Sequence, residues 1–414
     1  KNNVFLSYAK HNLNFSATSY TYLDVQRKVK EYTNFFLKKK LQELDRISVI
    51  VGNIPEFFII KLALNCNNLS CVPLNYELSN NELSYIIKHS SSKLIITNDL
   101  YLEKIKTIID SNKIKIGLVV LRNKKLISIL ETKRIKRDKF VKLKPSSEAS
   151  LIYTSGTTGK PKGCILSHFY EINAGYSYVI KKGLVSIREQ KEKIYNCLPV
   201  HHVNAGILSF YAVLLTGNCQ IQAERFSASS FWKEINYSKA TIFHYLGLMA
   251  PILLKRKKSN YEKIINLKCG IGAGIEPRLH KKFEKRFKVP MIELWGMTEM
   301  VRCIFDNSKN RKIGERCFGR PDESLQTLVV DENGNNKLNE KGELLIRHNA
   351  IYPQKGFFDG YYKNKRATES AWRNKWFHTG DIVIKNNKGY LFFVDRKKNL
   401  IRRGGENISS AEIE

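Results

Sequence analysis

Paired or metal-spaced cysteines are missing from this chain of 414 residues. Its eight cysteines, Cys66, Cys71, Cys164, Cys197, Cys219, Cys269, Cys303 and Cys317, contain no Cys-x-x-Cys and no ligand spacing with histidine. That argues against a disulfide framework or a zinc module and makes a reduced, cytoplasmic protein the simplest reading. Apolar runs of membrane-spanning length are also lacking. The longest, around ILSFYAVLL (207–215), suits a buried helix, so stable membrane insertion is not expected. Acidic residues are scarce, 38 against 70 Lys and Arg, for a formal net charge of +32. Such an excess can mark a polyanionic partner, but no stripe of base-stacking aromatics accompanies it, and the lysines are spread from Lys1 to Lys398 among many Asn and Ile. A compositional bias of the lineage explains the charge better than a nucleic-acid partner, and runs such as LRNKKL (121–126) and TKRIKRDK (132–139) then read as solvated surface. There is no signal-like start, no initiator Met and no internal repeat, so the sequence is expected to begin partway into its gene product.

With 43% apolar residues, the chain is long enough for one large body with subdomains. To about residue 145 the pattern alternates helix and strand. Residues 21–41 place Leu23, Val29, Tyr32, Phe36 and Leu37 near one face behind a Thr21 cap, which predicts an amphipathic helix. RISVIVG (46–52), LSCVPLN (69–75) and SKLIITN (92–98) predict buried strands. Between them, one helix follows Pro55 and another starts at a Ser79/Glu82 capping box. The alternation resumes over 165–305, with strands at IYNCLP, CQIQA, ATIFHY, LKCGIGAG and PMIELWG, and predicts mostly parallel, doubly wound sheets. Beyond Gly319, short strands with Asn-Gly and Lys-Gly turns and no helix between them predict a small β-rich subdomain.

The stretch YTSGTTGKPKG (153–163) lies between two strand-like runs, ASLIYT (149–154) and CILSH (164–168). It is not a Walker A loop. The residue five before Gly159 is Thr154 rather than Gly, and Pro161 follows Lys160 where a metal-binding hydroxyl would stand. Glycines that allow close backbone approach, hydroxyl donors and one lysine still suit an anion. An ordinary polar hairpin has the same composition.

The whole loop resembles the phosphate-binding signature of the adenylate-forming superfamily, which includes acyl-CoA synthetases, luciferases and peptide-synthetase adenylation domains. Further stretches in the same order carry that resemblance: LPVHHVNAG (198–206), GIGAGIEP (270–277), ELWGMTE (293–299), WFHTGD (376–381) and VDRKKNLIRRGGENIS (394–409). It implies an α/β fold, the large N-terminal domain of these enzymes, with two doubly wound subdomains over about 1–318 and a small β-barrel-like one over about 319–394. Residues 395–414 would be the hinge and the start of a further domain. It also implies a two-step reaction using ATP, Mg2+ and CoA, in which a carboxylate displaces pyrophosphate from ATP and a thiol then displaces AMP. An acyl-AMP ligase that loads a carrier protein, or a non-catalytic adenylate-binding protein, would share these motifs. Self-association as a homo-oligomer is left open.

By the same resemblance, Thr154, Ser155, Gly156, Thr157, Thr158, Gly159 and Lys160 would hold the β- and γ-phosphates. Gly272, Ala273 and Gly274 would lie against adenine and the acyl group, along with the run Glu293, Leu294, Trp295, Gly296, Met297 and Thr298. Trp295 stands where a Tyr usually stacks on adenine. Thr298 matches a hydroxyl to the α-phosphate and Glu299 a magnesium carboxylate. Taken alone, Thr298-Glu299 reads equally well as a helix cap. Asp381 and Arg396 match ribose contacts, and His202, beside Asn204, matches a wall or gate of the acyl pocket rather than a base. That pocket is expected along His202–Gly206, Phe243–Gly247, Gly272–Gly274 and Trp295–Met300. Glu293 replaces a common amide, Gly274 a frequent Pro, and Asn399 a frequent hinge Asp.

Family members carry about a hundred residues more, a small domain in itself, including a lysine that helps adenylation. The chain is therefore expected to bind ATP or acyl-AMP but to turn over poorly by itself. Within the superfamily, FSASSFWKEINYSKAT (226–241) and NLIRRGGENIS (399–409) are most similar to carnitine and crotonobetaine-CoA ligases and their short- and medium-chain relatives. An acyl tail with a quaternary ammonium could then lie over Trp or Tyr, although the same aromatics serve as plain apolar wall.

Overall fold

The computed structural model describes residues 2–9, 19–39, 41–131, 143–154, 160–263, 266–397, 400–403 and 406–409. Two largely parallel sheets and one antiparallel sheet organise the chain. The first runs, in spatial order, Lys125–Leu130, Gly117–Arg122, Leu94–Asn98, Arg46–Ile50, Ser70–Pro73, Glu148–Thr154 and Lys162–Ser167. Its interior pairs are parallel, and its two edge strands are antiparallel to their neighbours. The second runs Met300–Phe305, Met291–Met297, Cys269–Ala273, Ile242–Leu246, Lys193–Asn196, Cys219–Ala223, Val4–Ala9 and Ser19–Thr21. The strand Val4–Ala9, for which residues 2–9 carry no clear sequence signal, pairs in parallel with Cys219–Ala223 and so ties the start of the chain to the second sheet.

The helices Tyr22–Leu37, Pro55–Cys66, His168–Val179 and Phe210–Thr216 lie between the two sheets and share one core with both. Asn80–His89 and Leu102–Ser111 cover the far side of the first sheet; Phe231–Ser238, Met249–Lys255 and Pro277–Phe287 cover the far side of the second. The result is α/β/α/β/α layering. Both expected caps are present: Thr21 forms a capping box with Asp24, and Ser79 forms one with Glu82. The first helix buries Val25, Tyr32 and Phe36 rather than centring on Leu23, because Val25, Val29, Tyr32 and Phe36 form the stripe of 3.6-residue periodicity.

The run LRNKKL is not simply surface. Leu121 is buried in one strand, and Asn123 and Lys124, with φ of 47° and 59°, turn the chain into the next. This is a two-residue hairpin whose turn has both central residues left-handed. TKRIKRDK lies outside the described residues.

The antiparallel sheet runs Cys317–Gly319, Leu391–Arg396, Trp376–Lys385, Lys341–Arg347 and Gln326–Val330, with Trp372–Arg373 beside Trp376–Lys385. One short helix, Lys365–Ala371, interrupts this β-rich part, where none was expected. Its Asn364 side chain caps the Ala367 amide. Among the described residues, no helix is long and apolar enough to cross a membrane. All eight cysteines are free thiols.

A buried ion pair sits in the middle helical layer. Lys61 is 2% exposed and Glu171 0%. The lysine ammonium donates to Glu171 Oε1 at 2.7 Å and to Ser150 Oγ at 2.5 Å, and the Tyr211 hydroxyl donates to Glu171 Oε2 at 2.8 Å. Lys61→Met leaves Glu171 charged and unpaired in the core, so it should lower the unfolding free energy by about 3 to 5 kcal/mol. Chemical denaturation measures this, and a loss below about 1 kcal/mol would contradict the account.

Candidate active site

Parallel strands of doubly wound sheets present ligand sites at their carboxyl ends. In the second sheet, the segments after Asn196, Leu246, Ala273 and Met297 emerge at that end, and these are the stretches 198–206, 247, 274–275 and 298–299. In the first sheet, Glu148–Thr154 likewise ends at the glycine-rich loop. This strand and Lys162–Ser167 are antiparallel neighbours, with Thr154 opposite Lys162, so the loop does join two strands. Ser155, Gly156, Thr157, Thr158 and Gly159 lie outside the described residues, as does Asn399. Lys160, just after the loop, is exposed, and its ammonium stands 5.7 Å from the centroid of the Tyr85 ring.

Thr298 and Glu299 form the turn of the hairpin between Met291–Met297 and Met300–Phe305, so the helix-cap reading is wrong. The turn is held from both sides. The Tyr170 hydroxyl donates to the Thr298 carbonyl at 2.7 Å, the Phe358 amide donates to the Glu299 carbonyl at 3.0 Å, and the Tyr361 hydroxyl donates to Glu299 Oε1 at 2.6 Å. Sequence reasoning missed Tyr361. It stands 62 positions from Glu299, and no local pattern around it signals the contact.

Asp381 is 1% exposed and faces Arg396 across two paired strands of the antiparallel sheet. Arg396 Nε lies 2.8 Å from its Oδ1, and the Trp295 indole N–H donates to its Oδ2 at 2.8 Å. Burial raises the Asp381 pKa, Arg396 and Trp295 oppose the rise, and Glu299 and Glu343 add to it. Trp295 thus joins the second sheet to the antiparallel one. Its ring also stacks on Phe318, with centroids 5.9 Å apart.

Glu293 accepts the amides of Gly274 at 3.1 Å and Ile275 at 3.0 Å, clamping the segment after Cys269–Ala273. That segment passes close to the end of Ile242–Leu246. Gly274 has φ +78°, and a Cβ on Gly247 would stand 1.7 Å from the Gly274 carbonyl oxygen, so only glycine fits at 247. Glu293, Trp295, Thr298, Glu299, Asp381 and Arg396 are therefore linked through neighbouring strands and direct contacts.

The expected acyl-pocket wall needs correction. Phe243 and Tyr245 are buried in the outer core of the second sheet, because alternate residues of a strand share a face. His244, between them, is fully buried. Its Nδ1 is 2.7 Å from Asn204 Oδ1 and its Nε2 3.4 Å from the Tyr178 hydroxyl, and burial pushes its pKa down to about 3. It is a neutral structural imidazole that fixes Asn204. His202 is exposed, yet surrounding protein still lowers its pKa. Its ring is 4.6 Å from that of His201, which is buried.

The donor set fits a magnesium ion carried with substrate. Among the described residues, no group of three or more His, Cys, Asp or Glu could hold a metal. Mg2+ in phosphate chemistry is commonly held by one or two carboxylates plus phosphate oxygens, and Glu299 is a carboxylate of the kind that fits such a role.

The AMP-binding enzyme family model matches residues 4–362. The chain belongs to the AMP-binding enzymes. It is 26% identical over 410 residues to the crotonobetaine/carnitine–CoA ligase of Citrobacter koseri, covering 95% of this chain and 77% of the relative. It is 25% identical over 409 residues to the ligase of that name from Proteus mirabilis, with the same coverage. Among solved structures, ATP-bound MatB from Rhodopseudomonas palustris matches with TM-score 0.82 and 19% identity over 100% of this chain and 79% of that one. The o-succinylbenzoate CoA synthetase (MenE) of Bacillus subtilis with its acyl-adenylate intermediate matches with TM-score 0.82 and 21% identity over the same shares. These structural likenesses establish the shared fold. The activity class is that of an AMP-forming acid–CoA ligase; a further structure of MenE from Bacillus subtilis, 22% identical over 100% of this chain and 80% of that one with TM-score 0.80, is in complex with ATP and a magnesium ion.

Burial raises the Glu293 pKa to about 7, against the pull of the Gly274 and Ile275 amides, His280 and Arg316. The folded state therefore holds the Glu293 proton more tightly than the unfolded chain, whose group titrates near its model value of 4.5. This contribution to stability is fully present below the unfolded pKa and is lost as pH rises through about 7. Glu293→Gln should flatten that part of the pH profile, as measured by denaturant unfolding at a series of pH values. An unchanged slope in the variant would contradict the assignment.

Proposed function

We propose that the chain activates a small or medium-sized carboxylic acid, including acids of the betaine type, as an acyl-adenylate and passes the acyl group to CoA. In the first step a carboxylate oxygen of the acid bonds to the α-phosphorus of ATP, and the bond from that phosphorus to the bridging oxygen breaks as pyrophosphate leaves. In the second, the CoA sulfur bonds to the acyl carbon, its proton passes to solvent, and AMP leaves with the electrons of the broken C–O bond. The single observation that supports this reading most is the link between Asp381, Trp295 and the Thr298–Glu299 turn: a desolvated acceptor and a metal-competent carboxylate at neighbouring positions.

In this reading Asp381 accepts hydrogen bonds from the ribose hydroxyls, with Arg396 beside it. Thr298 donates to the α-phosphate. Residues 154–160 hold the β- and γ-phosphates, with Lys160 supplying charge. Gly272, Ala273 and Gly274 and the run 293–297 form the adenine and acyl wall, and His202 borders the acyl entrance. Bound Mg2+ would neutralise phosphate charge, and Glu299 would hold it. Residues 1–394 form the AMP-binding domain and 395–414 the hinge and the start of a further domain, in a cytoplasmic setting that suits eight free thiols. The betaine element draws on the names of the relatives, at 25 to 26% identity. A small-acid pocket fits the burial of Phe243 and Tyr245, which takes two rings from any ammonium cage.

The test is carboxylate-dependent exchange of labelled pyrophosphate into ATP by the full-length protein over a panel of fatty, aryl and betaine acids. Exchange should appear with a short or medium acid, and Asp381→Asn should weaken ATP binding about tenfold or more, the scale of a charged hydrogen bond. No exchange with any acid, together with no ATP binding, would refute the reading.

A further inference from the structure

We propose that Tyr361 is the positioning residue for Glu299: its hydroxyl holds one carboxylate oxygen so that the other is presented, singly, to the metal that accompanies ATP. This rests on Glu299 being the metal carboxylate in the function proposed above. Three observations carry it.

The first is the contact itself. The phenol donates to Oε1 at 2.6 Å, the length of a charge-assisted O–H···O bond. The phenol has a proton to give and the carboxylate oxygen accepts, so the tyrosine is the donor. With Oε1 already accepting from the phenol, Oε2 is the freer oxygen, and one-oxygen binding suits the strict octahedral geometry of Mg2+ better than a swinging bidentate carboxylate.

The second is where Tyr361 comes from. Residues 359–362 run antiparallel to Lys162–Ser167, the strand that leaves the glycine-rich loop. The Asp359 amide donates to the Ile165 carbonyl at 2.9 Å, the Ile165 amide to the Gly360 carbonyl at 3.0 Å, and the Tyr362 amide to the Gly163 carbonyl at 2.8 Å. One residue before this segment, the Phe358 amide holds the Glu299 carbonyl at 3.0 Å. A single stretch of chain thus docks on the strand after the phosphate loop and grips the metal carboxylate by both backbone and side chain. It sets the distance between the two places where a nucleotide's phosphates and its metal must meet.

The third is that the ring has its own support. The Lys162 ammonium stands 5.0 Å from its centroid, and Phe358 packs edge-on at 4.8 Å. Tyr361→Phe therefore removes the hydroxyl and leaves the packing in place. The competing explanation is that a buried carboxylate simply needs a donor for stability. That role would alter folding but not metal affinity in particular.

The test uses Mn2+ as the probe, titrated by electron paramagnetic resonance with ATP present, on the unmodified chain, Tyr361→Phe, Tyr361→His and Glu299→Gln. Tyr361→Phe should weaken Mn2+ binding about tenfold or more, the usual effect of losing a partner that orients a metal ligand. Its affinity for ATP without divalent ion and its melting temperature should stay close to those of the parent. Tyr361→His, which keeps an N–H donor, should recover part of the loss. The proposal is overturned if Tyr361→Phe binds Mn2+ like the parent while Glu299→Gln does not. It is also overturned if ATP affinity falls equally with and without metal. If Glu299→Gln itself binds Mn2+ normally, Glu299 is not the metal carboxylate, and both this inference and that element of the proposed function fail. Normal pyrophosphate exchange by the full-length protein would still leave the adenylation reading standing.

Discussion

The Lys61–Glu171 pair is the point through which the layers of the molecule are joined. Lys61 belongs to the helix Pro55–Cys66, Ser150 to the strand that feeds the glycine-rich loop, Glu171 to the helix after that loop's second strand, and Tyr211 to the helix at the face of the second sheet. Charges withdrawn from water are tolerable only when their remaining hydrogen-bonding positions are filled, and here two hydroxyls do so. The arrangement favours one relative placement of four elements. A purely apolar contact would allow small slips, and the loop strand would slip with them.

Four buried carboxylates at the meeting of the second sheet and the antiparallel one have donors of different kinds, and the donors set their character. Backbone amides hold Glu293, whose pKa still rises to about 7. A phenol holds Glu299, and an indole and a guanidinium hold Asp381. For Glu343, burial works upward, but His378 and Lys397 outweigh it and bring the pKa down to about 2. Neighbouring acids of similar chemistry are thereby given separate settings: Glu293 clamps a loop, Glu343 pairs with Lys397 and His378 near the end of the antiparallel sheet, and in the proposed function Glu299 would offer a hard ligand and Asp381 would accept from hydroxyls.

Much of this was legible in local sequence. The caps at Thr21 and Ser79 follow from hydroxyl and acid spacing, and Pro161 with Thr154 distinguishes the glycine-rich loop from a nucleotide loop that opens a helix. Parallel strands announce themselves as short β-branched runs because both faces are covered. The failures have physical causes. LRNKKL hides a hairpin because its turn uses Asn123 and Lys124 in left-handed conformations with no glycine to mark them. Phe243 and Tyr245 resembled pocket wall because the face a strand residue takes depends on register, which composition does not reveal. Asn204, His244 and Tyr178 converge from three separate elements, as do Tyr361 and Glu299, and such long-range pairings leave no short-range trace.

Trp295 gives the site a property that neither catalysis nor stability requires. Its indole N–H is bonded to the carboxylate proposed to receive a ribose, and its ring lies against Phe318 at the seam between two sheets. A nucleotide would not find Asp381 idle; it would have to share or displace the indole. Such an exchange would alter the polarity felt by an emitting ring, so in the proposed function occupancy would be written into the protein's own fluorescence. The chain contains four tryptophans, and this one sits where arrival of a ligand can be seen by light without attaching a dye.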